Sequence, residues 1–271
     1  MGFALLAGVC LCGCAPKPQP PTAEQRTAIY ERAGLFFTNA VLWKPSESWS
    51  TNSLAAKLAP LIIQEVTSTN DAADLWRDRI AGGSVLSSTR SAAESRSRVF
   101  VREEKVSLNG RPHDQVSYVW SYPAGSDESP HTLKAQGVRI TLNSSGQPAI
   151  WEVLADTSKA AIIVVAQSLE AAAAKEFGPA LPGRRFSVER SLEEAPNVVV
   201  ARGIEDGPMV MGPVVYLQAG TPDVGTVICR CMAAQARELI ATAEHELAGS
   251  TTVRMEFPAV LDKDLRLPRS F

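Results

Sequence analysis

The chain has 271 residues, 45% hydrophobic and 21% charged, which is ordinary globular usage and enough to enclose a sizeable core in one or two domains. A formal charge of −2 and a sequence pI near 6.0 exclude the dominant basic field by which proteins grip nucleic acid or an anionic membrane surface. Three cysteines, Cys10, Cys12 and Cys14, crowd the N-terminus, and Cys229 and Cys231 stand far downstream. That is not the spacing of a small disulfide-stapled domain.

Residues 3–15 (FALLAGVCLCGCA) carry no charge. As a helix this run would reach only about 20 Å, short of the roughly 30 Å hydrocarbon core and about right for the apolar region of a signal peptide. It ends in Leu11-Cys12-Gly13-Cys14, with an apolar residue three positions before the last cysteine and a small one just before it. This tetrad resembles the lipobox of bacterial lipoproteins. The resemblance implies cleavage before Cys14 and a thioether from its sulfur to diacylglycerol. Two or more acyl chains on one residue give stable anchoring. Ala15 rather than Asp after the cysteine implies the outer membrane, facing the periplasm. Cys10 and Cys12 put Val9 and Leu11 before the cleaved bond and match less well. The next segment, residues 15–21 (APKPQPP), holds four prolines and makes a semi-rigid spacer.

In the rest of the chain, Thr22 with Gln25 forms a capping-box pattern and opens a short helix to Ala33. An apolar run from Leu35 to Trp43 follows. Ser53 opens a second helical pattern over 54–66, interrupted by Pro60. Asn70 or Asp71 can cap a third helix ending at Ile80, before Gly82-Gly83, and the Ser/Arg-rich stretch 84–97 reads as a connection. Alternation then resumes on both sides of Asn109-Gly110, predicting a β-hairpin of 98–107 with 114–122. A second hairpin joins 136–142 to 149–154.

Residues 162–165 read as a strand and 169–177 as a helix capped by Ser168 and stopped at Gly178-Pro179. Further strands are expected at 185–190, 198–203, 214–217 and 226–229. A last helix is expected over 232–247, with Met232, Ala236, Leu239, Ile240, Ala243 and Leu247 on one face. The segment after Phe257 reads as loop.

These elements predict an α+β fold: a mainly antiparallel sheet built from hairpins with packed helices, preceded by a small helical N-terminal region. The expected organisation is a signal peptide at 1–13, a lipid anchor and Pro-rich spacer at 14–21, a helical region at 22–83 and an α+β domain at 84–271.

Chemistry concentrates at Cys229-Arg230-Cys231, where a predicted strand meets a predicted helix N-terminus. A thiol there would feel the positive end of the helix dipole, which favours thiolate. The pair reads either as a redox or metal-handling centre, or as a structural disulfide, or as two small buried hydrophobes. A bond between cysteines two apart on a strand would need a sharp bend. Two thiols alone do not make a metal site, and His245 lies about 21 Å along the predicted helix. His113 and His131 sit on turn or loop segments.

No nucleophile elbow, P-loop, dinucleotide fingerprint or zinc-protease motif occurs, so no cofactor and no catalytic residue is assigned. Residues 203–213 (GIEDGPMVMGP) form a bent connection whose Glu205 and Asp206 could bind a cation or act as acid and base. Ser168 reads as a plain helix cap. Trp120 and Trp151 read as core or cross-strand residues. The expected protein is a membrane-tethered envelope lipoprotein with a non-catalytic interaction or binding domain, meeting the membrane through its lipid and an envelope partner through its surface, without nucleic acid. A thiol-redox or metal-handling protein using Cys229 and Cys231 is the alternative.

Overall fold

The capping box predicted at Thr22 forms as written. In the computed structural model Thr22 Oγ1 accepts the Gln25 N–H at 3.2 Å, and Gln25 Oε1 accepts the Thr22 N–H at 2.8 Å, starting α1 (Ala23–Ala33). The structure describes residues 20–34, 37–46, 53–66, 98–123, 133–154, 160–194, 197–218, 223–230, 236–249 and 263–271. Cys14, Cys231, the expected third helix and the 84–97 connection lie outside these.

The apolar run up to Trp43 is β1 (Phe37–Pro45). Ser53 caps α2 (Leu54–Lys57), a single turn. Pro60 then ends the helical pattern: its ring disfavours α geometry at the preceding residue and it has no N–H to give. The Leu61-Ile62-Ile63 run that follows, with two β-branched isoleucines, is β2 (Leu61–Glu65), antiparallel to β1.

Both hairpins are present. β3 (Arg98–Leu108) and β4 (Arg111–Pro123) are joined by Asn109 at φ 50° and Gly110 at φ 74°, the left-handed pair that a two-residue hairpin turn requires. β5 (Leu133–Leu142) turns into β6 (Pro148–Leu154), and β7 (Ala161–Ala166) leads into α3 (Gln167–Phe177). The remaining strands are β8 (Val198–Ile204), β9 (Val214–Leu217), β10 (Val224–Ile228) and β11 (Ala236–Gly249).

The eleven strands among the described residues form one sheet in the order β10-β9-β2-β1-β11-β3-β4-β5-β6-β7-β8. β1–β11, β11–β3, β2–β9 and β7–β8 are parallel and the other neighbours antiparallel. The sheet curls until its two edges approach, and α1 packs against both β8 and β10 across the opening. Arg202 of β8 ties this seam, donating to Thr226 Oγ1 of β10 and to the Ala33 carbonyl at the end of α1, each at 3.2 Å.

The predicted α+β fold, with its mainly antiparallel sheet, packed helices and helical N-terminal region, is therefore corrected. The chain is mostly β, a single mixed sheet curled into a nearly closed barrel. Two segments carry the difference. β1 and β2, from the region expected to be helical, are inner strands. The expected helix over 232–247 is instead occupied by β11, which runs parallel to both β1 and β3 and joins them. Its residues suit a helix by propensity, but backbone pairing on two sides outweighs the few tenths of a kcal/mol per residue that propensity supplies. The expected strand at 185–190 is a series of turns, with one isolated bridge from Glu189 to Leu265.

Alternation on β4–β6 sorts the two faces. Val116, Tyr118, Trp120, Val138, Ile140, Trp151 and Val153 share a face and pack into one cluster with Val41, Ile62, Val199, Val215 and Val227 from the other strands. The opposite face carries buried polar residues in cross-strand contact. Gln115 donates to Thr141 Oγ1 at 2.8 Å, and Arg139 meets Glu152 at 3.6 Å.

Candidate functional site

A tight crossing builds one end of the site. Gly212 lies against the peptide carbonyls of Leu58 and Ala59, where a Cβ would come within 2.2 and 2.4 Å of their oxygens. Only glycine fits that approach. Flanking hydrogen bonds hold it: Gly212 N–H to the Lys57 carbonyl and Leu61 N–H to the Pro213 carbonyl, both at 3.0 Å. The 205–213 loop is thereby fastened to the α2–β2 turn.

This loop, the first turn of α3, the β5–β6 turn, Trp151 and the end of β10 enclose a cleft of about 290 Å³. The β5–β6 turn is stiffened by Asn143, whose Oδ1 accepts the N–H groups of Ser145 and Gln147 at 3.0 Å each. Trp151, Pro148, Met209, Met211 and Pro213 supply the apolar walls, with Glu205, Asp206 and Arg230 as charged members. Met209 is 61% exposed, the large hydrophobic side chain that stands out in solvent among the described residues.

The structure thus gathers Ser168, Glu205, Asp206 and Cys229 into one cleft, although they are scattered in sequence. Their roles differ from those expected. Ala166, not Ser168, holds the N-cap position of α3 and makes no side-chain bond there. Asp206 does the capping from a distance: its carboxylate accepts the Ser168 N–H at 2.9 Å and also the Ser168 hydroxyl. A carboxylate at a helix N-terminus is held by the dipole as well as by these bonds.

Cys229 is buried and disulfide-bonded, and every other cysteine lies outside the described residues. β10 ends at Ile228, and the next element among the described residues is the strand β11. Among the described residues no helix follows Cys229, so the dipole expected to activate the thiol has no counterpart there.

Arg230 was passed over in the sequence because two cysteines flank it. Burial pushes its pKa down, with Tyr118 acting weakly the other way. Its Nη2 donates to the Ala59 carbonyl. Among the described residues no carboxylate pairs with it, and its Nε has no acceptor. Trp151, on the same cleft, has an indole N–H that is likewise buried without an acceptor. Tyr118 cannot supply a counter-charge, because burial, helped by Glu103, raises its pKa and keeps the phenol protonated.

The histidines are dispersed. His113 is buried, with Nδ1 2.9 Å from the Leu142 carbonyl and its ring stacked on Phe271 at 4.8 Å. His245, expected on the helix over 232–247, is buried on β11 and faces the Pro60 carbonyl. That contact falls short of a full hydrogen bond. His131 lies outside the described residues, among which no three His, Cys, Asp or Glu side chains stand in a metal-binding group.

A larger cleft, about 640 Å³, lies between α1, α3 and β8. Its charged groups are already engaged. Arg185 stacks on Tyr30 at 4.3 Å, Arg202 holds the barrel seam, and Glu170 accepts the N–H groups of Ser187 and Val188. These contacts make it a structural joint.

Comparison with protein-family models, with curated proteins and with solved structures found no match for this chain. No helix among the described residues is long and apolar enough to cross a membrane.

Proposed function

We propose that this protein is a lipid-tethered, non-catalytic binding protein of the cell envelope, held to the outer membrane through Cys14 and taking a small ligand in the 290 Å³ cleft beside Trp151. The cleft is the observation that carries this reading. It has the composition of a ligand pocket, mostly apolar walls with a few placed polar groups. Met209 and Met211 on its wall are unbranched and adaptable, as side chains at binding surfaces often are. The uncharged leader ending in Leu11-Cys12-Gly13-Cys14, followed by the Pro-rich spacer, supports the tether.

Two experiments test the reading. Metabolic labelling with a fatty acid is expected to mark the wild-type chain and leave Cys14→Ser unlabelled; equal labelling removes the tether. For the cleft, calorimetric titration of the full chain in lipid nanodiscs with 3-phenylpropanol, corrected with protein-free discs, is expected to show binding that Met209→Ser weakens. Titrations in which Met209→Ser matches wild type remove the cleft.

A thiol-redox role for Cys229 and Cys231 is the second reading, favoured by the disulfide at Cys229 on the cleft wall. Its burial counts against it, as does the strand β11, which occupies much of the span where the following helix was expected. Thiol titration with and without reductant separates the two: a redox centre yields reactive thiols under mild reductant, and a structural bond yields none until the protein is unfolded.

A further inference from the structure

Arg230 is a partly buried cation that no carboxylate pairs among the described residues. Its guanidinium is fixed at one corner by the Ala59 carbonyl and meets no carboxylate among the described residues. Burying an unpaired charge is expensive, and proteins pair such groups or let them meet a ligand. The acids on the same cleft do not answer it. Asp206 is committed to Ser168 and the start of α3, and Glu205 is exposed and forms no ion pair with it. Arg230 therefore stands as a charged member of a cleft whose walls are mostly apolar.

Resting on the cleft as the ligand site, we infer that it takes a small monocarboxylate with an apolar body, Arg230 receiving the carboxylate and Trp151, Met209 and Met211 the body. A guanidinium is planar and matches a carboxylate with two parallel donors. A single cation compensates a single negative charge. A dianion such as a phosphate monoester would leave one charge facing Glu205 and Asp206 across the same space. A cationic ligand would meet the uncompensated guanidinium. The volume suits one aromatic ring or short alkyl chain, not a polymer.

The test uses the full chain in nanodiscs and three probes of one shape: 3-phenylpropanoate, 3-phenylpropanol and 3-phenylpropylamine. The carboxylate is expected to bind roughly tenfold or more tightly than the alcohol, the increment of a charge-assisted hydrogen bond. Arg230→Gln should erase that preference while leaving alcohol affinity within about twofold, and Arg230→Lys should keep part of it. If Arg230→Gln does not fold, the wild-type ranking and Arg230→Lys still decide. Alcohol and carboxylate binding equally to wild type, both weakened by Met209→Ser, overturns the inference and leaves the cleft reading standing. The amine binding best overturns it too. Failure of all three probes to bind wild type overturns both.

Discussion

The phenol of Tyr118 donates a 2.6 Å hydrogen bond to the backbone carbonyl of Ala55, joining the middle of β4 to the single turn of α2 across 63 positions of sequence. Both residues are buried, and α2 is too short to hold itself by its own hydrogen bonds. The Glu103 carboxylate supports the same turn, accepting the Ala55 N–H at 2.9 Å. Tyr118→Phe keeps the ring and removes only the donor. It leaves a buried carbonyl unsatisfied, so a loss of about 1–3 kcal/mol is expected. Urea denaturation would show a lower midpoint with unchanged slope.

Asp206 and Ser168 should behave as one unit. Asp206→Ala and Ser168→Ala each remove contacts at the start of α3, and capping losses run about 1 kcal/mol. Asp206→Ala is expected to cost more, because the Ser168 N–H also loses its acceptor. In a double-mutant cycle the two losses should add to more than the double variant loses. Strict additivity would show that the bond between them contributes nothing.

Glu189 holds the loop after α3 by accepting the N–H groups of Arg185 and Phe186 at 3.0 Å each and that of Val200 at 3.2 Å, while pairing with buried Arg184 at 3.4 Å. Glu189→Gln turns one acceptor into a donor aimed at other donors and strips Arg184 of its counter-charge. The expected loss is about 3 kcal/mol or more, visible as a fall in melting temperature. Glu189→Leu should cost more still, because all three backbone N–H groups then lose their acceptor.

His245 makes stability depend on pH. Burial pushes its pKa down to about 4, against the smaller upward pull of the Pro60 carbonyl. The unfolded chain protonates near 6.5. Between these values the unfolded state holds a proton that the folded state does not, so stability increases with pH through that window. Acidification from about 6.5 to about 4 should therefore remove stability, by an amount on the order of 3 kcal/mol, and the loss should level off below. His245→Asn is expected to flatten this slope in denaturation curves taken across the window. An unchanged slope would assign it to other groups.

Local signals were readable wherever local chemistry decides structure. The Thr22–Gln25 box, the Asn109-Gly110 turn and the strand at 214–217 appear where expected. The stretch 236–249 failed for a definable reason. Leu239, Ala243 and Leu247 are spaced by four residues, which reads as a helix stripe, but the same residues also fall at even spacing. Both periods fit, and alanine and glutamate tipped the reading towards helix. The cleft was half legible. Glu205, Asp206, Ser168 and Cys229 each carry a sequence signal of their own, while nothing in the sequence marks Arg230 as a cation that meets no carboxylate among the described residues.

What the sequence determined alone was short-range chemistry: the Thr22 capping box, the Asn109-Gly110 turn and the stop at Pro60, each settled by neighbours within a few residues. What tertiary structure decided was the partner of each strand. β11 is a strand because β1 and β3 pair with it on either side, and Arg230 faces a cleft because a glycine 18 positions earlier lets the 205–213 loop close against α2. Pairing energy and close approach are properties of segments brought together in space, so no window of the sequence contains them.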